Sequence, residues 1–543
     1  MILLRMGRRT KQSSSDLRCV PIHLFLHKYN LSTLTQTAQT HWNISNMQPY
    51  FPPIEKMFKS SDVESICEYG IKFNNQITEI LGEDKIKTTS EKDVHVKTTM
   101  LFSSHKWMCG EYGSVLGLPT SNEHADLNKQ KLQSPNNAAY VGALISTLLS
   151  ESKCVNFPEV YGVFTGIKAE HMVDISDDYE ALSEEKWFSQ NLGKMFNIKL
   201  SNDNSEQTFS HTRKSRPSMH VGESVELENV VEIETTPLEN IQAGELSKVM
   251  NHSDVDEDNL SDCSSISTSY IFDVHSCICS EDSDEEDEDY EPFAWAIFNN
   301  VPVQLTVMEK CEGTLYELMM LNPDSEKHLA WVAQVMFALA YAQRIIGLTH
   351  NDLHANNVMY VKTTEEYLFY NCGGILYKVP TFGYIIKIID FERGIASVKL
   401  AGMKAAKTFM SDHFSMEEEA GGQYNYGDFY NTKYPEIKPC ASFDLCRLAT
   451  SLFFDLFPLD EVEEHKDDLL YKLFTKWLTL EDGTSFLLGK KDPNHERYHG
   501  FHLYKAITRY AKDNAVPRKE VMALKQYQVS LVDEGKYVLL IEP

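Results

Sequence analysis

The chain has 543 residues, 42% of them hydrophobic, and 51 basic against 79 acidic side chains give a formal charge of −28. At about 150 residues per domain, that length leaves room for several domains, and the apolar share can build a sizeable core, which excludes a fibrous or wholly disordered protein. The negative charge argues against nonspecific binding to nucleic acid or to an anionic membrane.

Eleven cysteines, an odd number, are scattered without a Cys-x2-Cys pair. The nearest couple, Cys277-Ile278-Cys279, sits in acidic sequence with no second pair, so free thiols in a reducing interior are a better reading than zinc. No apolar run approaches the roughly 18 residues that a spanning helix needs. Residues 1–18 are basic and Ser-rich with one acid, Asp16. They could mimic a transit peptide, and a disordered tail or a true start at Met47 stays equally open.

In chain order, residues 63–81 place Ile66, Tyr69, Ile77 and Ile80 at helical spacing and predict a helical appendage. Residues 94–102 alternate as a strand. Cys109-Gly110-Glu111-Tyr112-Gly113-Ser114-Val115 follows, a turn whose glycines would let backbone amides approach a phosphate, although an ordinary turn has the same composition. Ser134 and Pro135 predict a helix start, with Leu144, Ile145, Leu148 and Leu149 as its buried face. No acidic residue occurs between Leu132 and Ser150.

Residues 157–164 and 303–309 read as partner strands. The aromatic residues Tyr179, Trp187, Phe188 and Phe196 between them predict a packed segment. Residues 201–292 turn to Ser, Asn, Asp and Glu, too like-charged to bury a core, and predict a disordered acidic loop with Ser280 and Ser283 set among acids. Residues 329–344 form a strongly apolar helix, and residues 367–377 a hairpin turning at Asn371-Cys372-Gly373-Gly374. A helix over 442–454 and closing helices around 503–509 complete the chain.

Two motifs carry chemistry. Thr349-His350-Asn351-Asp352-Leu353-His354-Ala355-Asn356-Asn357 is a His-x-Asp-x4-Asn loop, and Ile385-Ile386-Lys387-Ile388-Ile389-Asp390-Phe391-Glu392 is an apolar strand ending in Asp-Phe. Phosphoryl transfer asks for a carboxylate to orient and deprotonate the acceptor hydroxyl, which Asp352 fits, and for hard oxygen ligands to Mg²⁺, which Asn357 and Asp390 fit.

These motifs resemble the catalytic and metal loops of the protein-kinase superfamily. With Lys378-Val379-Pro380-Thr381-Phe382-Gly383, Phe409-Met410-Ser411-Asp412, Gly422-Gln423-Tyr424 and Ser442-Phe443-Asp444-Leu445-Cys446-Arg447-Leu448, the chain looks like the kinase-like proteins of large DNA viruses over about residues 106–521, the acidic insert excepted. The resemblance implies an α+β, two-lobed fold: residues 1–90 as an extension, 91–200 as the first part of a small β-rich lobe, 201–292 as the insert, 293–310 as its last strand and hinge, and 311–543 as a large helical lobe. It also implies ATP and Mg²⁺ as cofactors, a protein substrate, and an intracellular place, the host cytoplasm or virion if the protein is viral. Neither nucleic acid nor a membrane is expected as a partner, while a basic partner could engage the insert.

The resemblance further assigns Asp352, His354 and Asn357 to catalysis and Asn357 and Asp390 to metal. Gly110, Gly113, Val115, Lys129, Lys131, Met308, Glu309 and Cys311 would take the nucleotide. Val94-His95-Val96-Lys97 imitates the strand that bears a nucleotide lysine, but it precedes the glycine turn and is discarded on that order. Pro435-Glu436 would close the activation segment, and Asp444 would hold the catalytic loop's backbone. Asn351 replaces an arginine that clamps phosphate, His354 stands where a lysine would, and Glu392 replaces a glycine. A small-molecule kinase of choline or aminoglycoside type and a pseudokinase binding module remain as alternatives.

Overall fold

The computed structural model describes residues 23–58, 66–112, 117–120, 131–176, 178–201, 293–401, 403–458, 462–480, 482–487, 497–498, 500–533 and 535–542. Residues 1–18 and the acidic stretch 201–292, apart from Ser201, lie outside them, as do Gly113, Val115 and Lys129. The architecture is mixed α+β.

A seven-stranded antiparallel sheet runs in the order Ile44–Gln48, Val160–Asp174, Phe293–Glu309, Glu91–Met100, Lys85–Lys87, Glu79–Ile80, with Asn197–Ser201 also paired to Phe293–Glu309. The period-2 pattern of its longest strand explains the placement: Val301, Val303, Leu305 and Val307 alternate onto one buried face. Against the sheet lies the helix Ala138–Glu151, whose Leu144, Ile145, Leu148 and Leu149 are fully buried as expected. Its cap is Asn137, which accepts from Ala139 N at 3.1 Å, and the start expected at Ser134-Pro135 is corrected accordingly. The aromatic segment packs as expected, with Phe188 and Phe196 buried.

The helix expected over 63–81 does not form. Ile66–Glu68 is a single 3-10 turn, Tyr69–Ile71 pairs with Leu26–Lys28, and Glu79–Ile80 pairs with Lys85–Lys87. Ile66, Ile77 and Ile80 are buried as the pattern required. Their hydrogen-bond partners come from other segments, and local periodicity does not register those.

The second half is built on Ser325–Ile346, capped by Asp324, which accepts from Glu326 N at 3.0 Å, and ended by Gly347 at φ 57°. This helix is long and apolar enough to cross a membrane, which corrects the reading that no run approaches that length, but 83% of its most apolar window is buried inside the fold. It leads into the loop of residues 347–357 and packs on Leu469–Trp477 and Pro517–Glu520, while Phe443–Leu456 packs on Leu469–Trp477 and Phe501–Tyr510. The strands Gly313–Thr314, Val358–Lys362 and Tyr384–Ile388 form a small sheet under that loop. The hairpin Tyr367–Cys372/Ile375–Pro380, turning through Gly373 and Gly374 at positive φ, belongs to a separate sheet. Val538–Ile541 joins it in parallel on one side and Gln528–Val529 on the other, an addition the sequence does not announce.

Candidate active site

The loop after Ser325–Ile346 is held from below by one carboxylate. Asp444, fully buried in the first turn of Phe443–Leu456, accepts from His350 N at 3.0 Å on each oxygen and from Asn351 N at 3.0 Å. Burial raises its pKa, and these donors and the nearby His350 offset that only in part. This is the backbone-holding role expected of Asp444, and it sets Asn351 at φ 68°, a left-handed conformation that Asn tolerates better than most residues.

Asn351 does not imitate the arginine it replaces. Its amide nitrogen donates to Thr349 O at 3.1 Å and Arg393 O at 2.8 Å, and its oxygen accepts from Tyr424 Oη at 2.6 Å. A neutral, buried side chain therefore ties the loop to the segment after Asp390. His350 adds a second tie: Asp352 N donates to its Nδ1 at 3.3 Å, which leaves Nε2 to carry the proton and donate to Ile389 O at 2.7 Å. Its ring packs on Phe391 with centroids 5.0 Å apart.

These ties bring the three chemistry-bearing residues together. Asn357 Nδ2 donates to Asp352 O at 2.9 Å, and Ile389 N donates to Asn357 O at 3.0 Å, so Asn357 bridges the base loop and the Asp-Phe strand. With its amide nitrogen occupied, the amide oxygen is the atom suited to a cation. Asp390 stands at φ 63°, a conformation costing a non-glycine residue about 1–2 kcal/mol. The neighbouring bonds enforce it and direct the carboxylate toward the sheet.

Facing Asp390 from the sheet is Lys97, on Glu91–Met100. Its Nζ lies 2.8 Å from Asp390 Oδ1 and 2.7 Å from Glu392 Oε1. Burial alone would raise the Asp390 pKa, but the Lys97 ammonium and its hydrogen bond outweigh burial and hold the carboxyl below its usual range. Burial would lower Lys97, and the two carboxylates outweigh that and raise it. Lys97, set aside on grounds of order, is therefore the lysine that the structure places beside Asp390. Lys131 is engaged elsewhere, its Nζ 2.8 Å from Glu418 Oε1, beside Lys106 at 2.9 Å from the same oxygen. Gly110, at φ 81°, lies beside the Asn191 amide, whose nitrogen donates to Met108 O at 2.8 Å. Two turns precede Lys97 within the sheet, Leu81-Gly82-Glu83-Asp84 and Thr88-Thr89-Ser90, with one glycine between them, and Asp84 pairs with Lys310 at 2.8 Å.

Asp352 accepts from Tyr504 Oη at 2.6 Å, with Arg393 Nη1 at 4.0 Å. Burial would raise its pKa, but Arg393, Arg447 and the tyrosine bond together hold it well below the usual carboxylate range, so it is ionised at neutral pH. His354 is buried with Nδ1 unpartnered, and desolvation lowers its pKa to about 4 despite the nearby Asp352, which keeps the imidazole neutral. At the end of Phe293–Glu309, Met308 is buried and the Glu309 carboxylate pairs with Lys387 at 2.7 Å. The Glu309 N–H is bonded to Glu159 O at 2.8 Å, so it is not an open donor. Burial pushes the neighbouring Cys311 thiol up to about 12.

Among the described residues no group of three or more His, Cys, Asp or Glu forms a metal cage. Asp390 and the Asn357 amide nevertheless suit Mg²⁺, a hard cation that keeps most of its positions for water and phosphate oxygens. A lysine, an ionised carboxylate, and an asparagine tied to both the 347–357 loop and the Asp-Phe strand thus lie together in a mixed α+β protein.

No protein-family model matches the chain. It is similar to the "Probable serine/threonine-protein kinase 380R" of Invertebrate iridescent virus 6, at 23% identity over 185 residues, 31% of this chain and 30% of that protein. It is also similar to "Uncharacterized protein ZK177.2" of Caenorhabditis elegans, at 29% identity over 70 residues, 13% of this chain and 24% of that protein. The chain therefore covers less than a third of either relative. At that coarse level the viral similarity marks the chain as kinase-like.

Proposed function

We propose that the protein is a two-lobed, ATP- and Mg²⁺-dependent phosphotransferase that acts on protein serine or threonine. The observation that carries this reading is the Lys97–Asp390 pair at 2.8 Å, which joins the sheet to the loop that presents Asp352 and Asn357. Bound Mg·ATP supplies the phosphoryl group and spreads its charge over metal and oxygens. Asp390 and the Asn357 oxygen would hold the metal, and Lys97 the phosphate oxygens. Asp352 orients the acceptor hydroxyl and takes its proton, a role worth about 10²–10⁴ in rate. His354, uncharged, offers a polar contact near the transferred group. The edge of an adenine would be read by backbone beyond Glu309, around Cys311, because the Glu309 N–H is spent.

The test is Mg²⁺-dependent ATP binding and turnover by the full chain with protein acceptors and then small alcohols, beside Asp352→Asn and Asp390→Ala. Turnover on protein that is lost in both folded variants is expected. Labelling of small alcohols alone would move the assignment to a small-molecule kinase, and absence of metal-dependent nucleotide binding by folded protein would make it a pseudokinase. The single glycine of Leu81-Gly82-Glu83-Asp84 is the observation that favours that second reading, because it gives few bare amides to cradle phosphate.

A further inference from the structure

A lysine that holds phosphates needs a partner that keeps its flexible stem extended. Asp390 cannot be that partner throughout, because a metal would compete for its oxygens. The neighbouring helix Ala138–Glu151 offers no acid before Glu151, and Glu151 is engaged by Asn74 Nδ2 at 2.7 Å. A carboxylate reaches Lys97 from the other side. Glu392 Oε1 lies 2.7 Å from Lys97 Nζ and accepts from Thr99 Oγ1 at 2.7 Å. Thr99 is two residues along the same strand, so it projects from the same face as Lys97.

The helix is shaped to admit this arrangement. A Cβ on Gly142 would stand 2.9 Å from Glu392 Cγ and 3.3 Å from Glu392 N. One turn on, a Cβ on Gly394 would overlap Ile145 Cδ1, so the helix and the Asp-Phe-Glu segment pack closely. Any side chain growing from position 142 would enter the space that Glu392 fills.

We infer that Glu392 is the positioning residue that fixes Lys97 toward nucleotide phosphates, taking from the segment packed on the helix the place of a helix-borne acid, and that Gly142 leaves the space which admits it. This rests on the phosphotransferase reading. It also accounts for two departures together: the acid missing from the helix and the glycine missing after Asp-Phe.

The experiment titrates the full-length chain with a fluorescent ATP analogue and Mg²⁺, and measures the ATP KM and kcat separately. Glu392→Gln removes one charge-assisted contact to Lys97, so nucleotide affinity is expected to fall about tenfold or more, with the ATP KM rising more than kcat falls. Thr99→Val, which spares the ion pair, should give a smaller change of the same sign. The exchange Gly142→Glu with Glu392→Gly should regain affinity that each single variant loses. Wild-type protein that binds nucleotide, alongside a folded Glu392→Gln protein that binds it equally well, would overturn the inference alone. If Glu392→Gln does not fold, unaltered binding by Thr99→Val together with no recovery in the exchange would overturn it. Failure of the wild type itself to bind would remove the phosphotransferase reading, and this inference with it.

Discussion

Tyr504 donates its hydroxyl to Asp352 at 2.6 Å, across 152 residues of sequence. The tyrosine comes from Phe501–Tyr510 and lies between Arg393 and Arg447, whose guanidinium centres stand 5.6 and 5.0 Å from its ring centroid. On the phosphotransferase reading, the hydroxyl holds one of the two Asp352 oxygens, Oδ1, and so competes with an acceptor for that carboxylate.

Tyr504→Phe removes that competitor while Arg393 still stabilises the carboxylate. Hydrogen bonds to charged groups contribute about 1.5–3 kcal/mol, so kcat/KM for the acceptor should rise about tenfold, read in steady-state assays. A fall of similar size would mean that Tyr504 aligns the base and does not mask it.

Asn351 fastens the segment after Asp390 without any charge, through Tyr424 Oη and Arg393 O. Turnover should therefore be unchanged after exhaustive phosphatase treatment, measured against untreated protein. Asn351→Ala loses these bonds and strains the φ 68° backbone, and should destabilise by about 2–3 kcal/mol in urea unfolding. Activity that depended on prior phosphorylation would contradict this account.

Asp444→Ala leaves the buried His350 and Asn351 N–H groups without an acceptor. At about 1–3 kcal/mol for each orphaned donor, a loss of several kcal/mol is expected, with kcat falling because Asp352 is no longer held. Denaturant midpoints and initial rates would measure the two effects, and a variant as stable as wild type would refute the structural role.

The Lys97–Asp390 pair makes a pH prediction. Asp390 is depressed on folding, so its contribution is present above the unfolded carboxylate value of about 4 and fades as pH falls through the folded one. Lys97 is raised, so its contribution is present below the unfolded value of about 10.4 and fades as pH climbs past it. With Lys97 removed, burial alone would raise the Asp390 carboxyl, so the stability difference between wild type and Lys97→Met should be about 1–2 kcal/mol at neutral pH and shrink toward acid, as the variant's carboxyl takes up a proton first. A difference that grew toward acid would refute the pairing.

The sequence by itself determined the local chemistry and the buried elements. The order of Asp352, Asn357 and Asp390 is read from two short motifs, the buried face of one helix from Leu144, Ile145, Leu148 and Leu149, and a second helix from the apolar run 329–344, because each depends on neighbours in the chain. Asp444 was also legible, through the resemblance carried by Ser442-Phe443-Asp444-Leu445-Cys446-Arg447. Only the tertiary structure decided the rest. Lys97 meets Asp390 across 293 residues, and the order argument that excluded it assumed that the glycine turn at Gly110 lay over the site. Strand pairing likewise made Tyr69–Ile71 and Glu79–Ile80 strands despite their helical spacing, and brought Val538–Ile541 beside Tyr367–Cys372. Hydrogen bonds and ion pairs between distant segments form only once sheet register and helix packing are fixed, and register has no local signature. The acid beside Lys97 is the plainest case: Glu392 and the space that Gly142 leaves for it meet only once the Asp-Phe-Glu segment packs on the helix.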